Sequence, residues 1–159
     1  MQRSKGIVVT ASIELDAPAK QVWAVLADYR NDTRWRVGVA AMDQDTPGTV
    51  QVGTITTEDF RILGQRLHNI GVVSHVAQGR SFRWRTIEGT DADGARLLEA
   101  LPGDRSRVVL TTTSRPAGLV ERLLTPFIRP ALQKSLETSL AQLRTLVEQG
   151  AAVSRASGG

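Results

Sequence analysis

The stretch Ala11–Trp35, ASIELDAPAKQVWAVLADYRNDTRW, changes its hydrophobic period partway along, and its reading decides the fold. Up to Leu15 the period is two. Ile7, Val9, Ala11, Ile13 and Leu15 share one face, and Thr10, Ser12 and Glu14 share the other, which predicts a half-buried strand over 7–15. From Pro18 the period is that of a helix: Val22, Val25, Leu26 and Tyr29 recur at i, i+3, i+4 and i+7. Asp16 or Ala17 is the expected cap, with Pro18 in the first turn. Asn31-Asp32 ends the helix, and a second short helical turn is expected around Asp32–Trp35.

Downstream the pattern changes again. Turn signals recur at Thr46-Pro47-Gly48, Gly64, Gln78-Gly79-Arg80, Gly89–Gly94 and Leu101–Asp104. The runs between them, about eight to twelve residues each, are rich in Val, Ile, Thr and aromatics, which indicates antiparallel hairpins and not βαβ units. Strands are expected near 37–45, 50–60, 65–76, 81–88, 94–101 and 106–115. After Ala117-Gly118 an apolar stripe (Val120, Leu123, Leu124, Phe127, Leu132, Leu136, Leu140, Leu143, Val147) predicts a short helix to Leu124. A longer helix capped by Thr125 then runs to Gln149, about 30 Å from Pro130 onward. Pro126 suits its first turn, and Pro130 is placed to kink its start. Residues 1–150 are read as a single domain and 151–159 as a flexible tail.

These elements specify an α+β fold, in which a curved seven-stranded antiparallel sheet wraps one long C-terminal helix, with two short helices after the first strand. A single helix cannot fill the hollow of so wide a sheet, so an internal cavity is expected.

The order of elements resembles the START/Bet v 1-like (SRPBCC) superfamily with its helix-grip fold, and within it the bacterial polyketide cyclase/dehydrase and lipid-transport-like proteins. The resemblance spans about residues 7–149. It is carried by Ala17-Pro18, Val22-Trp23 and Trp35, by Val52-Gly53-Thr54, and by Val73 through Phe82-Arg83-Trp84. Ser106-Arg107-Val108 and the terminal leucines 136, 140 and 143 complete it. Arg105-Ser106 stands where the family usually has Gly-Thr, and the Pro that often follows the tryptophan is absent. The resemblance implies a pocket for an apolar or aromatic small molecule. It implies no shared catalytic motif, since its members include cyclases, carriers and sensors.

Composition narrows the alternatives. The chain has 159 residues, no cysteine, and a net charge of +4, with an isoelectric point near 10.3. Thiolate chemistry and Cys-based zinc sites are excluded. The N-terminal stretch does not read as a signal peptide, and no apolar run is long enough for a membrane span, so a cytoplasmic location is expected. The basic charge is scattered among 16 acidic residues, the pattern of a solvated surface. The string Arg-Trp-Arg nevertheless occurs twice, at 34–36 and 83–85. In the second, strand parity turns Phe82 and Trp84 to the concave face and Arg83 and Arg85 to solvent, so no exposed aromatic accompanies the cations as a nucleic-acid platform requires. Trp35 is placed near the cavity mouth, as a plug or as a ligand contact. Arg34 and Arg36 beside it are either surface arginines or partners for an anionic ligand group.

The expected pocket residues are Trp35, Glu58, Phe60, Trp84, Arg96, Leu98, Leu110 and Phe127. Glu58 shares parity with Phe60, and Arg96 with Leu98; a Glu58–Arg96 pair or a polar ligand group would compensate two such buried charges. Catalysis would need an acid–base pair, for which His68, His75, Asp59, Arg66 and Glu99 are the other candidates. The two histidines have opposite parity on one strand, so at most one faces inward unless a bulge intervenes. No metal, cofactor, phosphate-loop, nucleophile-elbow or dinucleotide signature is present. The first expectation is therefore a binder of a small, largely apolar ligand (a lipid, isoprenoid or polyketide-like aromatic). A cyclase/dehydrase-type enzyme is the alternative, and a ribosome- or protein-associating factor the next; no DNA partner is expected.

Overall fold

A computed structural model describes residues 6–158. The strands are β1 (Ile7–Leu15), β2 (Val39–Gln44), β3 (Ile55–Ile62), β4 (Gln65–Ala77), β5 (Ser81–Glu88), β6 (Ala92–Leu101) and β7 (Arg105–Ser114). They form one sheet in the order β1-β7-β6-β5-β4-β3-β2, with every pairing antiparallel. Between β1 and β2 lie α1 (Ala19–Leu26) and a 3-10 helix (Tyr29–Arg34); after β7 come α2 (Leu119–Leu123) and α3 (Thr125–Ser157). This is the helix-grip α+β architecture.

Period-two alternation sets the inner face of the sheet. Phe82, Leu98, Val108 and Leu110 are buried there with Leu140, Leu143 and Val147 of α3. Val22, Trp23 and Leu26 of α1 plug the same core, with the Trp23 ring edge-on to Phe82 at 6.1 Å. β1 is an edge strand, which leaves backbone groups open to pairing with other chains. α3 covers that edge: Arg129 and Gln133 donate to the carbonyls of Val8 and Thr10, and Glu148 accepts from the Asp16 amide.

Several local expectations are corrected. Asp16 does not cap α1; Pro18 sits at the cap position in an extended conformation, and its carbonyl accepts from Gln21 and Val22. The cap that does form is Asp28, which accepts from the Arg30 amide at the start of the 3-10 helix. Residues 50–54 are a turn and not the start of a strand, held by Val50 N–H on Ala27 O and Thr54 N–H on Gln51 O. Thr125 lies inside α3, and its hydroxyl reaches back to Glu121 O. α3 also passes Gln149 and runs to Ser157. Ala151, read as tail, is 3% exposed and belongs to the core. No helix among the described residues is long and apolar enough to cross a membrane.

Candidate functional site

Two groups of elements converge on the hollow between sheet and α3. The 3-10 helix and the residues just after it deliver Tyr29, Trp35 and Arg36 from one side, backed by the buried Asp32; β3 to β7 deliver Thr56, Glu58, Asn69, Trp84, Thr86, Arg96, Leu110 and Thr112 from the other. With Met42 and Leu136 they enclose a cavity of about 70 Å³.

Its charged floor is internally paired. Asp32, fully buried, accepts from both terminal nitrogens of Arg96, at 3.0 Å (Nη1–Oδ1) and 2.5 Å (Nη2–Oδ2). Arg96 is itself 4% exposed. Its Nη1 also donates to Leu26 O at 2.9 Å, a cation at the C-terminal end of α1 where the helix dipole favours one. Three rings surround the guanidinium: Tyr29 at 4.5 Å, Trp35 at 5.0 Å and Phe82 at 5.5 Å from its central carbon. Burial and aromatic faces together make this a strong cation site.

Arg36 forms the second half of the network. Its Nη1 donates to Asp32 Oδ2 at 3.1 Å and to Glu58 Oε2 at 2.6 Å. Asn69 donates to the other Glu58 oxygen at 3.2 Å and accepts from Thr90 N–H. Burial by itself would raise the Glu58 carboxyl, but the Arg36 charge and the bonds from Arg36 and Asn69 outweigh it and hold the group below the usual carboxylate range. Burial raises the Tyr29 phenol well above its ordinary value, so it stays protonated. Two arginines and two carboxylates therefore neutralise one another, and the cavity is polar without net charge.

Of the expected pocket residues, Trp35, Glu58, Trp84, Arg96 and Leu110 line this cavity. Glu58 and Arg96 both face inward, but they do not pair directly; Arg96 takes Asp32 and Glu58 takes Arg36. Three residues fall elsewhere. Leu98 is buried in the core on the part of β6 that α1 covers. Phe60 is half-buried beside the site, with Arg36 at 6.0 Å over its ring. Phe127 is 67% exposed, because the first turn of α3 projects past the sheet.

Both histidines face outward. His68 contacts Asp59 on the wet face at 2.6 Å. The register between β4 and β5 shifts between Val73 and His75, so the bulge reverses parity and places His75 opposite Arg83, outside. Asp59, Arg66 and Glu99 are exposed as well. The two Arg-Trp-Arg strings behave alike in one respect: both tryptophans turn inward. Arg34, Arg83 and Arg85 are exposed, while Arg36 is the exception that enters the site.

Sequence reasoning does not name Asp32, Asn69, Thr86 and Thr112 as site residues. Asn69 is recoverable from its sequence position, since it shares parity with Gly71 and Val73 on an otherwise buried face. Asp32 is not, because a 3-10 helix has no alternation to read.

Trp35 is fully buried, and its indole N–H has no hydrogen-bond partner among the described residues. Trp84 lies over Gly94, its register partner on β6, where a Cβ would come within 2.7 Å of the ring. The wall thus combines indole and aliphatic surface with a neutral set of donors and acceptors.

Solved structures share this architecture at low sequence identity. The protein TTHA0849 of Thermus thermophilus matches with a TM-score of 0.77 and 18% identity, covering 90% of this chain and 98% of that one. The Zhui aromatase/cyclase of a Streptomyces species matches with a TM-score of 0.76 and 17% identity, covering 89% and 93%. A START superfamily protein of Mycobacterium smegmatis gives 0.72 and 16%, covering 89% and 97%. No curated protein sequence matches the chain. The signature of the family described as "Polyketide cyclase / dehydrase and lipid transport" matches residues 6–148. The chain belongs to that family.

Proposed function

We propose that the chain binds a compact, ring-containing, mostly apolar molecule carrying one or a few oxygens, in the cavity between the sheet and α3. The observation that carries this reading is the make-up of the wall. Trp35, Trp84, Leu110 and Leu136 offer apolar surface beside Asn69, Thr86 and Thr112, while the four charged groups are already satisfied by one another. Apolar burial would supply most of the affinity, and a few polar groups would set orientation. The unpartnered indole N–H of Trp35 adds a donor suited to a ketone, phenol or alcohol oxygen.

Size narrows the ligand class. Pockets for drug-sized molecules typically span about 300–1,000 Å³, against about 70 Å³ here. A polyketide-like or other small aromatic that displaces side chains at the opening fits this better than an extended lipid chain. The family description names both polyketide and lipid chemistry, and the Zhui protein is an aromatase/cyclase; both are compatible with an aromatic ligand.

A second reading, catalysis of the cyclase type, has one observation in its favour: Glu58 and Arg36 stand together in the wall. The carboxylate is held below its usual range, which makes it a weak base, and both histidines are outside. Binding without turnover is therefore the preferred reading. Association with RNA has less support, because the exposed arginines of β5 have no exposed aromatic beside them.

The test is native mass spectrometry of gently purified protein, followed by organic extraction. A stoichiometric ring-bearing adduct is expected, and Leu110→Trp should remove it by filling the cavity while circular dichroism stays unchanged. In parallel, a naphthol titrated against tryptophan fluorescence should bind the wild type and not Leu110→Trp. Equal naphthol binding by both proteins would overturn the cavity reading. Turnover of a poly-ketone substrate that Glu58→Gln abolishes would replace it with the enzymatic one.

A further inference from the structure

The large apolar side chains left in water are concentrated at one end of the molecule. Leu119, Val120, Leu123, Leu124 and Phe127 are 73, 66, 70, 41 and 67% exposed. No residue of α2 is buried, and its packing is chiefly against α3. Scattered exposed leucines are ordinary; a cluster this dense on a projecting segment marks an interaction surface. Within 117–130 the charged residues are Glu121, Arg122 and Arg129, all exposed. Arg129 spends one donor on Val8 O, and neither arginine is ion-paired among the described residues.

A second apolar tip lies at the same end. The ladder runs from Ser114 through Ala92, and from Asp93 through Arg85 and Val72 to Ile55, with β3 and β4 continuing outward to the turn after Ile62. The exit of β7 into α2 and the β3–β4 turn therefore extend in the same direction. At that turn Leu63 is 63% exposed, at φ 49°, a backbone region that favours glycine. Exposed Arg61 and Arg66 flank it. Packing does not account for a leucine at this position.

We propose that this end of the molecule docks on an anionic lipid bilayer. Leu119, Val120, Leu123 and Phe127 enter the boundary between headgroups and acyl chains, Leu63 touches the same surface, and the flanking arginines meet lipid phosphates. The charge distribution selects this occupant. A second copy seated on the patch would set Arg61, Arg66, Arg122 and Arg129 against the same four, with only Glu121 in the helical segment to offset them, which costs affinity. A plane of negative charge meets all of them at once, and a projecting segment with apolar side chains around it suits insertion into an interface. The cavity wall residues Glu58, Asn69, Thr111 and Thr112 lie towards this end of the sheet. The proposal does not depend on what the cavity holds.

The experiment is co-flotation with phosphatidylcholine vesicles and with equimolar phosphatidylcholine–phosphatidylglycerol vesicles. Flotation with the anionic vesicles at low salt, declining as sodium chloride rises, is the expected result. Leu123→Ser with Phe127→Ser should lower the partition constant about tenfold or more, with an unchanged circular dichroism spectrum because both side chains are already in water. Arg122→Glu with Arg129→Glu should abolish the preference for anionic vesicles. The proposal fails if the protein does not float with anionic vesicles at low salt, or if Leu123→Ser/Phe127→Ser floats as well as wild type. It also fails if sedimentation velocity shows a dimer that this same pair dissolves, which would assign the patch to a second copy.

Discussion

Asp32 carries more of the site than any other residue. It is fully buried and accepts from both Arg96 and Arg36. Such an ion pair is a poor guide to net stability, because desolvating two charges offsets most of their attraction. Breaking one is different. Asp32→Asn leaves the Arg96 guanidinium 4% exposed without its counter-charge, and the expected loss is about 3–5 kcal/mol. Arg96→Met should also destabilise, by leaving the buried Asp32 carboxylate only its single bond from Arg36 and by stranding the Leu26 carbonyl. The double variant Asp32→Asn/Arg96→Met should cost clearly less than the two single losses added together, since each substitution removes the other's unpaired group. Urea denaturation of the four proteins measures this, and strict additivity would show that the two residues are not coupled. Parity with Leu98 alone places Arg96 inward, and that is where it lies. Parity does not supply the partner, because Asp32 comes from an irregular turn 64 residues away.

At the scale of elements, regular strands are legible and interruptions of them are not. Alternation over β1 and β5 assigns the buried faces of both, including Phe82 and Trp84. The bulge in β4 has no sequence mark: Ser74 is an ordinary strand residue, yet it shifts the register and turns His75 outward. The end of α3 misleads for a different reason. Gly150 in a helix interior costs about 1 kcal/mol relative to alanine, which favours a stop there, but Ala151 one residue later is buried in the core and holds the helix on course. β6 contains the most informative glycine. Gly94 is buried, and a Cβ there would meet Thr111 O and the Trp84 ring. Gly94→Ala should therefore push the Trp84 indole off its seat, at a cost of about 1–3 kcal/mol, and narrow the cavity. The expected signature is a shifted tryptophan emission spectrum together with weakened naphthol binding. An unchanged spectrum with full binding would mean that the indole does not rest on this glycine.

For the molecule as a whole, the sheet must bury charge in order to shape its hollow, and this makes stability depend on pH. Architecture is readable from the succession of periods because a seven-stranded sheet with one long helix has few ways to bury a single face. Cavity volume is not readable, since it depends on how side chains from non-adjacent strands meet. Glu58 links the two. Its carboxyl lies below the usual range in the folded chain, where Arg36 and Asn69 hold the ionised form, and returns to about 4.3 on unfolding. A group depressed in this way stabilises the fold above its unfolded value, and that contribution is lost as pH falls through the folded one. The protein should therefore hold its urea midpoint from neutrality down to about pH 5 and lose stability below about pH 4. The informative comparison is with Glu58→Gln. That variant gives up the charge-assisted bond to Arg36 and should be less stable at pH 7, yet fall less steeply on acidification, so that the two midpoints converge at low pH. Parallel limbs for the two proteins would show that Glu58 ionises alike in the folded and unfolded chains, and that the Arg36 contact does not hold its charge.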